Sequence, residues 1–119
     1  MALGPYTCGI FGTEKDMVDA VLEIGEATGE DMWHLPMNPK LRKMLKSNVA
    51  DMKNVGERWG GASTAALFLK EFVEETRWVH MDLAGPSFLD NPAEAHMSKG
   101  GTGYGVLTLL EYALRRDEN

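Results

Sequence analysis

A short apolar run, Cys8-Gly9-Ile10-Phe11, is cut by Gly12 and followed at once by apolar residues at helical spacing. No other feature of the chain constrains its fold as much. A strand handed directly to an amphipathic helix calls for a sheet with a helix laid on it. The helix is predicted to start at Thr13, a good N-cap residue, with Asp16 three positions on as the acid of a capping box. Met17, Ala20, Val21, Ile24 and Ala27 form its apolar stripe, and Asp19, Glu23 and Glu26 fall on the other side. Gly29, free to turn left-handed, ends it near Thr28.

The alternation continues along the chain. Pro36 bars residues 32–36 from a helix interior. Asn38-Pro39 then restarts a short helix, with Leu41, Met44 and Leu45 on its apolar side and Lys40, Arg42, Lys43 and Lys46 on its wet side. Residues 49–55 alternate loosely, as a strand or an irregular segment, and Gly56, Gly60 and Gly61 mark a loop. Ala62, Ala65, Ala66, Leu69, Phe72 and Val73 repeat as a helix face whose small early residues permit close packing on a sheet. Residues 78–83 read as a buried strand ended by Ala84-Gly85-Pro86, and residues 86–103 as a surface loop. A last helix is predicted over 104–115, with a core stripe of Val106, Leu107, Leu110, Ala113 and Leu114. Arg115 and Arg116 suit the negative end of its dipole. The fold class is therefore α/β, in one domain over residues 1–119.

Acidic residues outnumber basic ones 18 to 12. A chain of that balance, without a basic stripe, does not bind nucleic acid through its phosphates. No apolar run is long enough to span a bilayer, and the start has no basic region followed by an apolar one. The expectation is a cytoplasmic protein with no membrane partner. The single cysteine, Cys8, excludes an internal disulfide framework. Between Thr7 and Gly9-Ile10 it reads as a small buried residue.

Self-contained chemistry is hard to find. His34, His80 and His96 lie far apart, and a metal site needs several convergent ligands. His80 and Asp82, two apart near the end of a predicted strand, can face the same side. They are either an acid/base or ligand candidate, or a buried polar pair satisfied by the backbone. The run Gly100-Gly101-Thr102-Gly103-Tyr104-Gly105 leads into a helix. Its spacing is not that of a phosphate loop and no strand is predicted before it, so it reads as a tight turn. No nucleophile elbow is present.

Five ordered motifs carry a resemblance. They are Gly25-Glu26; Trp33-His34-Leu35-Pro36; Ala50-Asp51-Met52-Lys53-Asn54-Val55-Gly56 with Gly60-Gly61-Ala62-Ser63-Thr64-Ala65-Ala66; Trp78-Val79-His80-Met81-Asp82-Leu83-Ala84-Gly85; and Lys99-Gly100-Gly101-Thr102-Gly103. Together they resemble the C-terminal segment of the leucyl aminopeptidase family, which includes the cytosol aminopeptidases, from about Leu3 to Leu114. The resemblance implies part of a mixed-sheet, helix-flanked metallopeptidase catalytic domain. It implies two divalent metals, zinc or manganese, that activate a water and polarise the scissile carbonyl. The implied substrate is the N-terminal residue of a peptide, and the implied assembly a homo-oligomer, a hexamer of two stacked trimers.

The family's metal-binding Asn-Thr-Asp-Ala-Glu-Gly-Arg motif does not occur in this sequence, and neither do its upstream lysine and aspartate segments. Lys53, Asp51 and Asp82 are therefore not carried over as metal ligands, and no catalytic residue is expected in this chain. What the resemblance does imply is pocket wall. Val55 matches a position on the leaving-residue side of the cleft, and Ala84 and Ser87 match positions around the N-terminal side chain. His80 and Asp82 match residues that are not ligands. Two functions compete: a piece of a metalloaminopeptidase, inactive alone, that completes pocket and assembly surface, or a non-catalytic stand-alone binding or assembly module derived from that fold. A hydrolase built on Cys8 or Asp82 with His80 is the third.

Overall fold

The computed structural model describes residues 2–45, 60–89 and 100–116. Strand β1 (Cys8–Gly12) runs parallel to β2 (Met32–His34) on one side and antiparallel to β3 (Val79–Asp82) on the other. The result is a mixed sheet of order β2-β1-β3. Helix α1 (Lys15–Thr28) makes the crossover that the parallel pair requires. Alternation then assigns the sheet's two faces. Cys8 and Ile10 of β1 join Val18 and Val21 of α1 in the core, with Val79 and Met81 of β3 packed against them. Phe11 and His80, paired across the strands, point to the other face with their rings 5.8 Å apart. Cys8, Ile10 and Phe11 are all fully buried, as a central strand covered on both faces demands.

Helix α1 departs from expectation at its start. It begins at Lys15 behind an extended Glu14, and no side chain caps it. Asp16 instead accepts a hydrogen bond from Arg77 Nη2 at 2.7 Å. Its buried residues are Val18, Val21, Ile24 and Gly25, whereas Ala27 is exposed. The stripe is turned about one residue from the predicted one because Val18 sits directly over Gly12. Gly29 ends the helix as expected, at φ 79°, and the Glu30 amide donates to Gly25 O at 2.9 Å.

The segment after Asn38 is a 3-10 helix, Pro39–Leu45, with Leu45 buried. Helix α2 (Gly61–Val73) buries Thr64, Ala66 and Leu67, while Ala65, Leu69 and Phe72 of the predicted stripe are exposed. Strand β3 is half-buried rather than buried, and among the described residues it is the outer strand next to β1. The predicted surface loop contains a two-stranded ribbon, β4 (Phe88–Leu89) with β5 (Gly100–Gly101).

Helix α3 (Val106–Arg116) overturns its prediction most clearly. Val106, Leu107, Leu110, Ala113 and Leu114 are exposed, and the side turned to the protein carries Thr108, Glu111, Tyr112 and Arg115. Polar groups hold it there. Glu30, buried just beyond α1, accepts from Gly105 N at 2.7 Å, Thr108 N at 2.9 Å and Thr108 Oγ1 at 2.6 Å. This carboxylate caps α3 from a distant part of the chain, at the positive end of the helix dipole. The glycine run before α3 thus serves an internal anion. Gly105, at φ 98°, turns its N–H onto Glu30 in a conformation that a side chain would strain.

Candidate substrate-binding site

The small residues that open α2 leave room beside the end of β3. Gly61, Ala62 and Ala65 line an open cleft of about 490 Å³ together with His80, Asp82, Ala84 and Ala2. His80 and Asp82 line it together, as their two-residue spacing requires. Burial holds the His80 imidazole below its ordinary pKa of 6.5, and the Asp82 charge draws it partly back. The ring has two aromatic neighbours, Phe11 at 5.8 Å, tilted, and Trp78 at 6.2 Å, stacked. Asp82 accepts from the Ala2 backbone amide at 3.4 Å.

Ala84 stands exposed on this cleft at the start of a turn. Ser87 closes the turn, its N–H donating to Leu83 O at 2.9 Å and its hydroxyl to Ala84 O at 3.0 Å. Thr102 then ties the turn to β5, donating from N to Ser87 O at 3.0 Å and from Oγ1 to Pro86 O at 2.7 Å. Ala84 and Ser87 therefore belong to one braced turn beside the cleft. Val55, with Asp51 and Lys53, lies outside the described residues.

Cys8 is far from nucleophilic. Burial, aided by the Asp82 charge, pushes its thiol pKa up to about 12. Among the described residues no group of three His, Cys, Asp or Glu side chains converges to hold a metal. The residues described here do not fit a two-metal centre, and no catalytic step is derived through one. A larger hollow of about 720 Å³, lined in part by Glu26, Asp31, Trp33 and His34, opens beside β2 and includes none of the candidate residues.

The sheet, its flanking helices and this small-residue cleft define a segment of an α/β catalytic domain. The sequence pattern of the cytosol aminopeptidase family, catalytic domain, matches residues 1–110. The chain belongs to that family. It is 47% identical over 114 residues to the probable cytosol aminopeptidase of Picosynechococcus sp., covering 96% of this chain and 23% of that protein. It is also 47% identical over 120 residues to the neutral leucine aminopeptidase, chloroplastic, of Solanum lycopersicum, covering all of this chain and 20% of that one. Among solved structures, the bottromycin maturation enzyme BotP in complex with Mn matches with a TM-score of 0.91 and 38% identity, over 99% of this chain and 26% of that one. The chain thus spans about a quarter or less of the relatives it matches. No helix among the described residues is long and apolar enough to cross a membrane.

Proposed function

We propose that this chain works as part of a two-metal leucyl aminopeptidase, removing N-terminal residues from peptides in the cytoplasm of its cell. Its contribution is pocket wall, from Val55, Ala84 and Ser87, and assembly surface for a homo-oligomer. The observation that carries this reading is the family match over residues 1–110, and the braced turn that holds Ala84 against an open cleft supports it. Two divalent metals, zinc or manganese, would supply the activated water and the polarised carbonyl. The family's metal-binding Asn-Thr-Asp-Ala-Glu-Gly-Arg motif is not in this sequence, and in this reading the chain alone is inactive. The reading as a stand-alone binding module has no observation in its favour.

The test uses a chimera, the Picosynechococcus relative with this chain in place of its matched quarter. Ser87→Met in the chimera is expected to change the ratio of rates on leucyl and alanyl p-nitroanilides about tenfold, within the roughly 1–3 kcal/mol that a methylene or two is worth in a side-chain pocket. An unchanged ratio removes Ser87 from the pocket. The isolated chain, assayed with manganese, zinc or cobalt, is expected to give no turnover. Chelator-sensitive turnover by the isolated chain would overturn that expectation.

A further inference from the structure

We propose that Thr102 is a positioning residue for substrate selection, its hydroxyl fixing where the turn that carries Ala84 and Ser87 stands beside the cleft. The proposal rests on the reading of this chain as part of an aminopeptidase whose substrate side chain meets Ala84 and Ser87. Its first support is what the turn does not hold by itself. Ser87 donates from N to Leu83 O at 2.9 Å and from Oγ to Ala84 O at 3.0 Å, and these bonds give the turn its shape. Their partners all lie between Leu83 and Ser87, so they do not fix its place. Two bonds reach it from a distant part of the chain, and both come from Thr102. Its N donates to Ser87 O at 3.0 Å and its Oγ1 to Pro86 O at 2.7 Å.

The second support is the direction of the hydroxyl. Pro86 O can only accept, and the Tyr104 N–H, 3.2 Å from Thr102 Oγ1, can only donate. A hydroxyl has one proton to give, so these two partners commit it to Pro86. Pro86 is buried and Thr102 half-buried, which keeps the bond largely away from water and strengthens it. The backbone bond to Ser87 O forms with almost any residue at position 102. The bond to Pro86 O needs a hydroxyl there.

The third support is what stands behind Thr102. Tyr104 donates from its hydroxyl to Asp31 O, and the Gly105 N–H donates to the buried Glu30 carboxylate at 2.7 Å. The segment that carries Thr102 is therefore anchored to the junction between α1 and β2. Through one hydroxyl, the turn beside the cleft takes its position from that junction. A wall that tells one side chain from another has to be held by its surroundings, because a displacement of a fraction of an ångström is enough to blunt the discrimination.

The test compares two substrates in the chimera. In Thr102→Val, which keeps the shape and removes the hydroxyl, kcat/KM on leucyl p-nitroanilide is expected to fall about threefold to tenfold. On glycyl p-nitroanilide, which has no side chain to meet the wall, it is expected to stay the same. Thr102→Ser keeps the hydroxyl and is expected to keep the ratio of the two substrates. Thr28→Val loses a hydroxyl bond on α1, away from the turn, and is expected to leave the ratio alone. An equal fall on both substrates overturns the proposal, and so does a ratio moved as far by Thr28→Val. Should Thr102→Val not fold, Tyr104→Phe carries the test by cutting the anchor to Asp31, and an unmoved ratio there overturns the proposal. Ser87→Met separates the two readings: if it moves the selectivity and Thr102→Val does not, only the role of Thr102 falls, and if neither does, the pocket reading falls with it. Hydrogen exchange follows the turn without activity. The Ser87 amide is expected to exchange about tenfold faster in Thr102→Val than in Thr102→Ser, and equal rates overturn the proposal. An inactive chimera with that acceleration loses the enzymatic reading and keeps the positioning of the turn.

Discussion

Glu30 sets the angle at which α3 leaves the sheet, and it does so from inside the protein. Its carboxylate receives three donors from residues 75–78 positions away, at 2.6–2.9 Å. Removing it strands two backbone amides and a hydroxyl where water does not replace it. Glu30→Ala is expected to cost about 2–4 kcal/mol and Glu30→Gln about half of that, on the scale of hydrogen bonds to buried charged groups. Urea unfolding monitored by circular dichroism checks both, and equal midpoints for the three proteins would refute the network's role. His80 supplies a pH prediction at the same scale. Its folded pKa is depressed by burial, so below the ordinary value of 6.5 the unfolded chain takes up a proton that the folded chain resists. The stability it contributes is therefore complete above 6.5 and is lost as pH falls toward the native value. His80→Gln is expected to flatten stability between pH 6.5 and 5, and an unchanged slope would place the titration elsewhere. Neither residue's role was legible in the sequence. Glu30 follows a helix-ending glycine and looks like a surface acid, because its partners are set by a contact 75 residues distant. For His80 and Asp82 the shared face was readable from spacing, and the choice between chemistry and structural polarity was not.

Local periodicity located the elements among the described residues except β2, of three residues, and the β4–β5 ribbon, whose strands of two residues each carry no period to detect. It went wrong at the rotation of helices. A stripe tells which side of a helix is apolar; it does not say what lies against that side. In α1 the stripe met the sheet with a one-residue turn. In α3 the same kind of stripe faces away, because Glu30 and Thr28 hold Thr108 on the polar side. Gly25 illustrates the converse, a residue in the family-like motif whose reason only the packing supplies. Inside a helix, glycine is ordinarily replaced by alanine with a gain of about 1 kcal/mol. Here a Cβ would come within 2.9 Å of both Glu30 O and Met32 Sδ, where the chain doubles back toward β2. The carbonyl is backbone and cannot swing aside. Gly25→Ala is therefore expected to reverse the usual sign and destabilise by about 1–3 kcal/mol, as overpacking does. A chemical denaturation midpoint higher than wild type would show that β2 can yield.

At the scale of the whole chain, shape and surface point the same way. The radius of gyration is 15.6 Å, against about 13.5 Å for a compact domain of this length. The smallest extent is 19 Å, which leaves little depth for a core. Large side chains lie open on both sides of the sheet, Leu69 and Phe72 on α2 and the aliphatic row on α3. Such a molecule hides less apolar surface on folding than its length allows, and heat capacity measures that directly, since exposed apolar surface raises the heat capacity in either state. An ordinary domain of 119 residues unfolds with a heat-capacity change of roughly 1.4–1.8 kcal/mol/K. For the isolated chain, calorimetry at low micromolar concentration is expected to return a value clearly below that range, with a broad transition. The chimera is expected to recover the ordinary change per residue if the rest of the relative covers the same surface. A sharp transition for the isolated chain, with a heat-capacity change inside the range and a monomeric mass by light scattering, would mean that these residues close their own core. The exposed row on α3 would then have to fold inward, against the hydrogen bonds of Glu30.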